Sequence, residues 1–219
     1  MQFNLWDDML MNLHKYETII LDCDGVIFDS NLLKLNAFRD ALEDFDDKIV
    51  SDFIDYFKVS FGTSRYNLVK VFIDNFLKIE FDEELYKYIL KRYSDNCILL
   101  YKKSNLTNKF LEFIEVYRHK QIYIASGSDQ EELRIVFKQR DLSKYFINIY
   151  GSPKKKSDIV KDIVTDNKKT IMIGDAVSDM EAAKNSNIDF IFMKEYSTND
   201  TMKKDSSLNS INNLGDLIE

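Results

Sequence analysis

Residues 18–31 read TIILDCDGVIFDSN. A short aliphatic run ends on Asp22, Cys23 and Asp24, and the chain then turns on Gly25. β-branched and aliphatic residues at this density read as a buried strand, and a glycine after it as a turn. Two carboxylates set two apart repel each other, so the arrangement needs something cationic between or beside them. Cys23, if the backbone stays extended, points the other way into a core. Asp29-Ser30 reads as the cap of a following helix.

Four more short runs carry the strand signature: 122–125, about 146–150, 170–174 and 190–193. Helical faces lie between them. Phe110, Phe113, Ile114 and Tyr117 share one; Leu133, Val136 and Phe137 a second; Ile159, Val160 and Ile163 a third. Ser128–Glu131, SDQE, has capping-box spacing. Strands and helices that alternate in this way predict an α/β fold with a parallel sheet covered on both sides.

Residues 31–101 break the alternation with four amphipathic patterns and no strand. The faces are Leu35, Phe38, Leu42 and Phe45; Val50, Phe53, Ile54 and Phe57; Leu68, Phe72, Phe76 and Ile79; and Leu85, Tyr88, Ile89 and Tyr93. Four such stripes can bury each other as a small bundle. The expected organisation is a core of residues 1–30 and 105–219 with a helical cap of residues 31–104. An insertion placed there hangs over the strand ends, where open parallel sheets bind ligands. Phe3, Trp6, Met9 and Leu13 predict an amphipathic helix at the N-terminus.

Composition narrows the function. The 219 residues are 45% hydrophobic, with a net charge of −7, one proline and two cysteines. No basic block stands out beyond Lys154–Lys156, which argues against nucleic acid or an anionic membrane as partner. No apolar run approaches the ~20 residues of a membrane span. Two cysteines make no disulfide framework, so reduced thiols and a cytoplasmic location are expected. His14 and His119 lack metal-like spacing.

The opening motif has an echo. IMIGDAVSDMEAA places Gly174-Asp175 after another apolar strand, with Asp179 one helical turn on. Four carboxylates at one sheet edge predict a hard divalent cation with oxygen ligands, Mg²⁺. YIASGSD puts Ser126-Gly127-Ser128 between a strand and a helix, a seat for an anion. GSPKKKSDIV brings lysines to another helix start. Acidic pair, hydroxyl, lysine and acidic pair, in that order, point to phosphoryl transfer.

These motifs together resemble the haloacid dehalogenase-like hydrolases over residues 18–193. The resemblance implies a Rossmann-like core with an inserted four-helix cap, Mg²⁺ and a phospho-aspartyl intermediate. It makes Asp22 the nucleophile and a metal ligand. Asp24 becomes the general acid/base, its pKa raised by burial, with its backbone carbonyl on the metal. Ser126 and Gly127 hold phosphate, Asp175 binds metal, and Asp179 assists through water or the lysine. Ser152 replaces the lysine often found before Pro153, and the Gly-Ser-Pro-x-x-Lys form of the family selects Lys156, with Lys154 and Lys155 as fallbacks. Arg65, in the loop FGTSRYN, is a candidate substrate-binding residue of the cap, against a solvent-facing alternative. Ser128 is either a helix cap or a phosphate ligand. The implied activity is a phosphatase for a small phosphorylated metabolite such as a sugar phosphate, acting as a monomer or homodimer. A phosphomutase of the same fold and a phospho-accepting signalling receiver are the alternatives.

Overall fold

The computed structural model describes residues 13–164 and 169–218. Three residues of the expected N-terminal helix, Phe3, Trp6 and Met9, lie outside them; Leu13 is fully buried.

Strand β1, Thr18–Leu21, is buried along its whole length. Its side chains alternate between two separate cores, as a period of two requires. Ile19 and Leu21 join the larger one; Ile20 joins the smaller with Met172, Ala182 and Ala183. β1 pairs in parallel with β2, Gln121–Asp129, on one side and with β4, Thr170–Gly174, on the other. β3, Asn148–Ser152, and β5, Asp189–Met193, extend the sheet. A two-residue strand β6, Ser210–Ile211, closes the edge and was too short to read from alternation. The order β3-β2-β1-β4-β5-β6 reverses direction between β1 and β4. That reversal is the point where such sheets leave a crevice at their carboxyl ends.

β3 lies slightly later than the sequence suggests. Phe146 leaves the strand to pack edge-on against Phe137 after a short 3₁₀ turn at Ser143–Tyr145, and pairing starts at Asn148.

Four helices follow β1: α1, Asn31–Ala41; α2, Asp47–Val59; α3, Arg65–Val71; and α4, Glu83–Lys103. α5, Phe110–Tyr117, then returns the chain to the sheet. Phe38 is the hub of the insert, stacked on Tyr93 at 4.1 Å and edge-on to Phe53 and Phe57. Two expected faces differ. α3 runs into a π turn at Phe72–Leu77, whose wider turn shifts the apolar phase, so Phe72 and Ile73 are buried and Ile79 is exposed. Tyr88 faces outward with its hydroxyl on Asp44, and the buried stripe of α4 instead runs through Ile89, Tyr93, Cys97, Leu100 and Tyr101.

The remaining helices cover the sheet: α6, Gln130–Gln139; α7, Lys156–Ile163; α8, Val177–Asn185; and the short α9, Asp200–Lys204. α6 begins one residue later than SDQE implies. Asp129 is its cap, accepting from the N–H groups of Glu131 and Glu132, because the Ser128 hydroxyl is engaged elsewhere. Among the described residues no helix is long and apolar enough to cross a membrane.

Candidate active site

The two strands flanking the reversal deliver the acidic residues. Asp22 follows β1, its N–H donating to Ile173 O at 3.0 Å across the sheet. Asp175 follows β4, and Asp179 sits one turn up α8. Asp179 Oδ2 accepts from the N–H groups of Asp175 and Ala176 at 3.2 and 3.0 Å, which ties the helix start to the strand end. Gly25 closes the opposite turn at φ +78°, and a Cβ there would lie 2.3 Å from Asp175 Oδ2. Only glycine permits this conformation and this approach.

Asp22, Asp175 and Asp179 each offer an oxygen within 4.8 Å of the others, and all three are buried. Lys156, the first residue of α7, donates to Asp22 Oδ1 at 2.9 Å and to Asp179 Oδ1 at 2.5 Å. One ammonium among three carboxylates leaves negative charge uncompensated. Burial, then the charge of Asp179, lifts the Asp22 carboxyl to about 7. Burial and the two neighbouring aspartates push Asp175 well above the usual range. Burial opposes charge on Lys156 too, but the two carboxylates prevail and hold it protonated. Three buried carboxylate oxygens short of positive charge are a donor set that suits a hard divalent cation. Lys154 and Lys155 stay exposed at the surface, Lys154 paired with Asp162.

Asp24 departs from expectation. Its carboxylate does not join the cluster of Asp22, Asp175 and Asp179, so three side chains converge and not four. It turns towards the insert. Lys34 Nζ donates to its Oδ2 at 2.7 Å, and Ser128 Oγ to the same oxygen at 2.8 Å. Ser30 Oγ and the Tyr101 hydroxyl donate to Oδ1 at 2.6 and 2.8 Å. Burial alone would raise its pKa, but the charge of Lys34 and these donors outweigh it and hold Asp24 below the ordinary carboxylate value. The raised pKa read from burial is therefore reversed by a cation the motif does not contain. Ser30, at the cap position of α1, makes no side-chain capping bond, because its hydroxyl serves Asp24.

Ser126, Gly127 and Ser128 form a bulge in β2, where the pairing with β3 slips between Ala125 and Asp129. Ser126 is buried and its Oγ accepts the Ser128 N–H at 3.1 Å. Ser128 caps nothing; its hydroxyl contacts Asp24, Lys34 and Tyr101. Opposite the bulge stands the loop after α2. Gly62, at φ +85°, lies so close to Gly127 and Ser178 that its own Cβ would fall 1.8 Å from Ser178 Oγ. Ser178 Oγ donates to Phe61 O, and the Tyr66 hydroxyl to Asp129, so the insert is seated on the sheet edge. The cleft beneath, lined by Asp22, Asp24, Ser126, Gly127 and Asp175 from the core, has space for little more than a water molecule.

Arg65 is neither solvent-facing nor free. It is 4% exposed, its two Nη atoms donate to the two oxygens of Glu132 at 2.7 Å each, and it lies over the Tyr93 ring. Sequence reasoning passed over Lys34, Tyr101, Asn31 and Glu132. Lys34 carried a usable signal: it sits beside Leu35 and one turn before Phe38, on the stripe of α1 that packs inward.

The family model for haloacid dehalogenase-like hydrolases matches residues 16–187. A phosphorylated carbohydrates phosphatase of Thermotoga maritima is 26% identical over 201 residues, spanning 84% of this chain and 88% of that protein. The fold is similar to that of a predicted phosphoglycolate phosphatase from Haemophilus somnus, with a TM-score of 0.72 at 13% identity over 94% and 98% of the two chains. It is also similar to a HAD-hydrolase from Bacillus subtilis bound to magnesium, with a TM-score of 0.60 at 16% identity over 82% and 89%. The match, which runs from β1 through the helical insert to α8, leaves the signalling-receiver reading unsupported. The chain belongs to the haloacid dehalogenase-like hydrolase family.

Proposed function

We propose that this hydrolase is a Mg²⁺-dependent phosphatase for a small phosphorylated metabolite, working through a phosphorylated Asp22. The observation that carries the reading is the buried cluster of Asp22, Asp175 and Asp179 with Lys156, beside the Ser126–Ser128 bulge, at the reversal point of the sheet. Asp22, Asp175 and Asp179 are the residues that would hold the cation, with the Asp24 carbonyl as a further donor. When bound, the cation would neutralise charge on the cluster and on the transferring phosphoryl group.

The rest is work for the chain itself. Asp22 attacks phosphorus, and the ester oxygen leaves with a proton. Lys156 fixes the Asp22 carboxylate and adds positive charge beside the phosphoryl oxygens. Ser126 and the Gly127 N–H orient the phosphate. Asp24, ionised before substrate arrives, is the proton carrier. It takes a proton from the phosphate monoester monoanion and passes it to the leaving oxygen. It then takes one from the water that hydrolyses phospho-Asp22 and returns it to the product phosphate. Lys34, Ser30, Tyr101 and Ser128 hold its carboxylate, and one of these donors must give way before the protonated oxygen can donate to the ester oxygen. The helices of residues 31–104 serve as a cap that opens to admit substrate and closes to exclude water. The Thermotoga maritima relative acts on phosphorylated carbohydrates by name, which supports a sugar or polyol phosphate as substrate here.

The test is phosphate release from p-nitrophenyl phosphate and a panel of metabolite phosphates, with Mg²⁺ and with EDTA. Turnover with Mg²⁺ that EDTA abolishes is expected. Full activity in excess chelator, or none on any ester, refutes the reading.

A further inference from the structure

Resting on the phosphatase reading, we infer that the cap side of the cleft accepts an ester whose remainder is uncharged and hydroxyl-bearing, and rejects one with a second anionic group. Among the described residues two cations line the cleft on this side, Lys34 and Arg65. Each already faces its own carboxylate. Lys34 is paired with Asp24 at 2.7 Å, and Arg65 grips Glu132 through both Nη atoms. Glu132 is held in turn by the Ser94 hydroxyl. All four charged residues are at least nine-tenths buried, two positive against two negative. With the insert seated and both pairs formed, no positive charge among the described residues on this side is left over for a substrate carboxylate or a second phosphate. An anion placed here would be desolvated without a counter-ion, which is strongly unfavourable.

Among the described residues that line the cleft, two carry a buried polar atom without a partner, one a donor and one an acceptor. Arg65 Nε is a buried N–H without an acceptor, and Asn31 Oδ1 a buried oxygen without a donor. The Asn31 amide orientation is fixed by the Tyr196 carbonyl, which can only accept: Nδ2 donates to it at 3.0 Å and to Asp175 Oδ2 at 2.6 Å. Buried polar atoms left unpaired destabilise a fold, so these two await partners. Hydroxyl groups both donate and accept, and they fit this set. A carboxylate needs donors, in the paired form that the guanidinium edge has already given to Glu132. Phe57, Phe61, Leu68 and Tyr93 complete the wall with apolar surface, suited to the C–H faces of a polyol. Arg65 thus acts through its pairing with Glu132 as a charge filter. The same filter disfavours a bisphosphate, which a phosphomutase would have to hold.

Glycerol 3-phosphate and 3-phosphoglycerate test this directly, since they differ by a hydroxymethyl group against a carboxylate. With Mg²⁺, kcat/KM for glycerol 3-phosphate is expected to exceed that for 3-phosphoglycerate by about tenfold or more, the least an unmatched buried charge should produce. Glu132→Gln keeps a hydrogen-bonding partner for Arg65 but releases its charge. It should narrow the ratio between the two esters by raising relative use of 3-phosphoglycerate, whereas a purely structural role lowers both alike. Equal or reversed preference in the wild type, or a parallel loss in Glu132→Gln, overturns the inference. If no ester is hydrolysed, the phosphatase reading fails on its own, and calorimetric titration with the same two compounds still decides the charge question. Tighter binding of glycerol 3-phosphate upholds the filter; tighter binding of 3-phosphoglycerate, or binding of neither, overturns it.

Discussion

Replacing Asp22 with asparagine should make the metal-free protein more stable at pH 8, although it removes the proposed nucleophile. Burial, with Asp179 alongside, raises the Asp22 carboxyl from 3.8 to about 7. The folded chain therefore keeps this proton to a higher pH than the unfolded chain does. The sign follows: stability is intact below about pH 4, falls as pH rises towards 7, and stays reduced above it. A rise from 3.8 to about 7 puts the full deficit on the order of 4 kcal/mol, of which roughly 3 kcal/mol falls between pH 5 and pH 8. For a chain of this size each kcal/mol moves Tm by about 2–4 °C, so a difference of around 10 °C is at stake. Asparagine abolishes that titration, and Lys156 keeps Asp179 as its partner. The assay is thermal unfolding at pH 5 and pH 8, in EDTA and in Mg²⁺. In EDTA the wild type should lose Tm between the two pH values far more than Asp22→Asn. Added Mg²⁺ should restore the wild type at pH 8 and do little for the variant. Parallel pH profiles for the two proteins in EDTA would refute the reasoning.

Two further outcomes follow from the contacts around Asp24 and Gly62. Lys34→Met removes the cation that holds Asp24, and steady-state kinetics should show kcat reduced by about a hundredfold, the lower range for a displaced acid/base; an unchanged kcat separates Lys34 from the proton carrier. Gly62→Ala forces a left-handed residue and a methyl group into Ser178, so the seated insert should loosen. Limited proteolysis of the loop after α2 should accelerate while the core stays intact, and unaltered cleavage would show that Gly62 does not govern the seating.

The parts of this molecule that were legible in the sequence are those whose signal is local. A buried strand, its terminal aspartate and the following turn sit within a dozen residues, so Asp22 and Asp175 could be placed at strand ends without coordinates. A helix start alone left Lys154, Lys155 and Lys156 open, and the family's Gly-Ser-Pro-x-x-Lys form selected Lys156. The environment of Asp24 was not legible, because Lys34, Tyr101 and Ser128 arrive from three separate elements and only the folded chain brings them to one carboxylate. The pairing of Arg65 was hidden for the same reason: its partner Glu132 is 67 residues away, and a loop arginine looks alike in sequence whether it meets solvent, substrate or a buried glutamate. The π turn at Phe72–Leu77 has no compositional mark, so the phase shift that exposes Ile79 could not be anticipated.

The central claim is that Asp22 carries the phosphoryl group while Asp24 governs its release. Asp24→Asn leaves the nucleophile and its lysine in place but removes the group that activates water. Incubated with Mg²⁺ and an ester that the wild type hydrolyses, then quenched and analysed by peptide mass spectrometry, this variant is predicted to accumulate one phosphoryl group on the peptide containing Asp22. Steady hydrolysis at the wild-type rate, or a phosphoryl group on any other residue, would contradict the account.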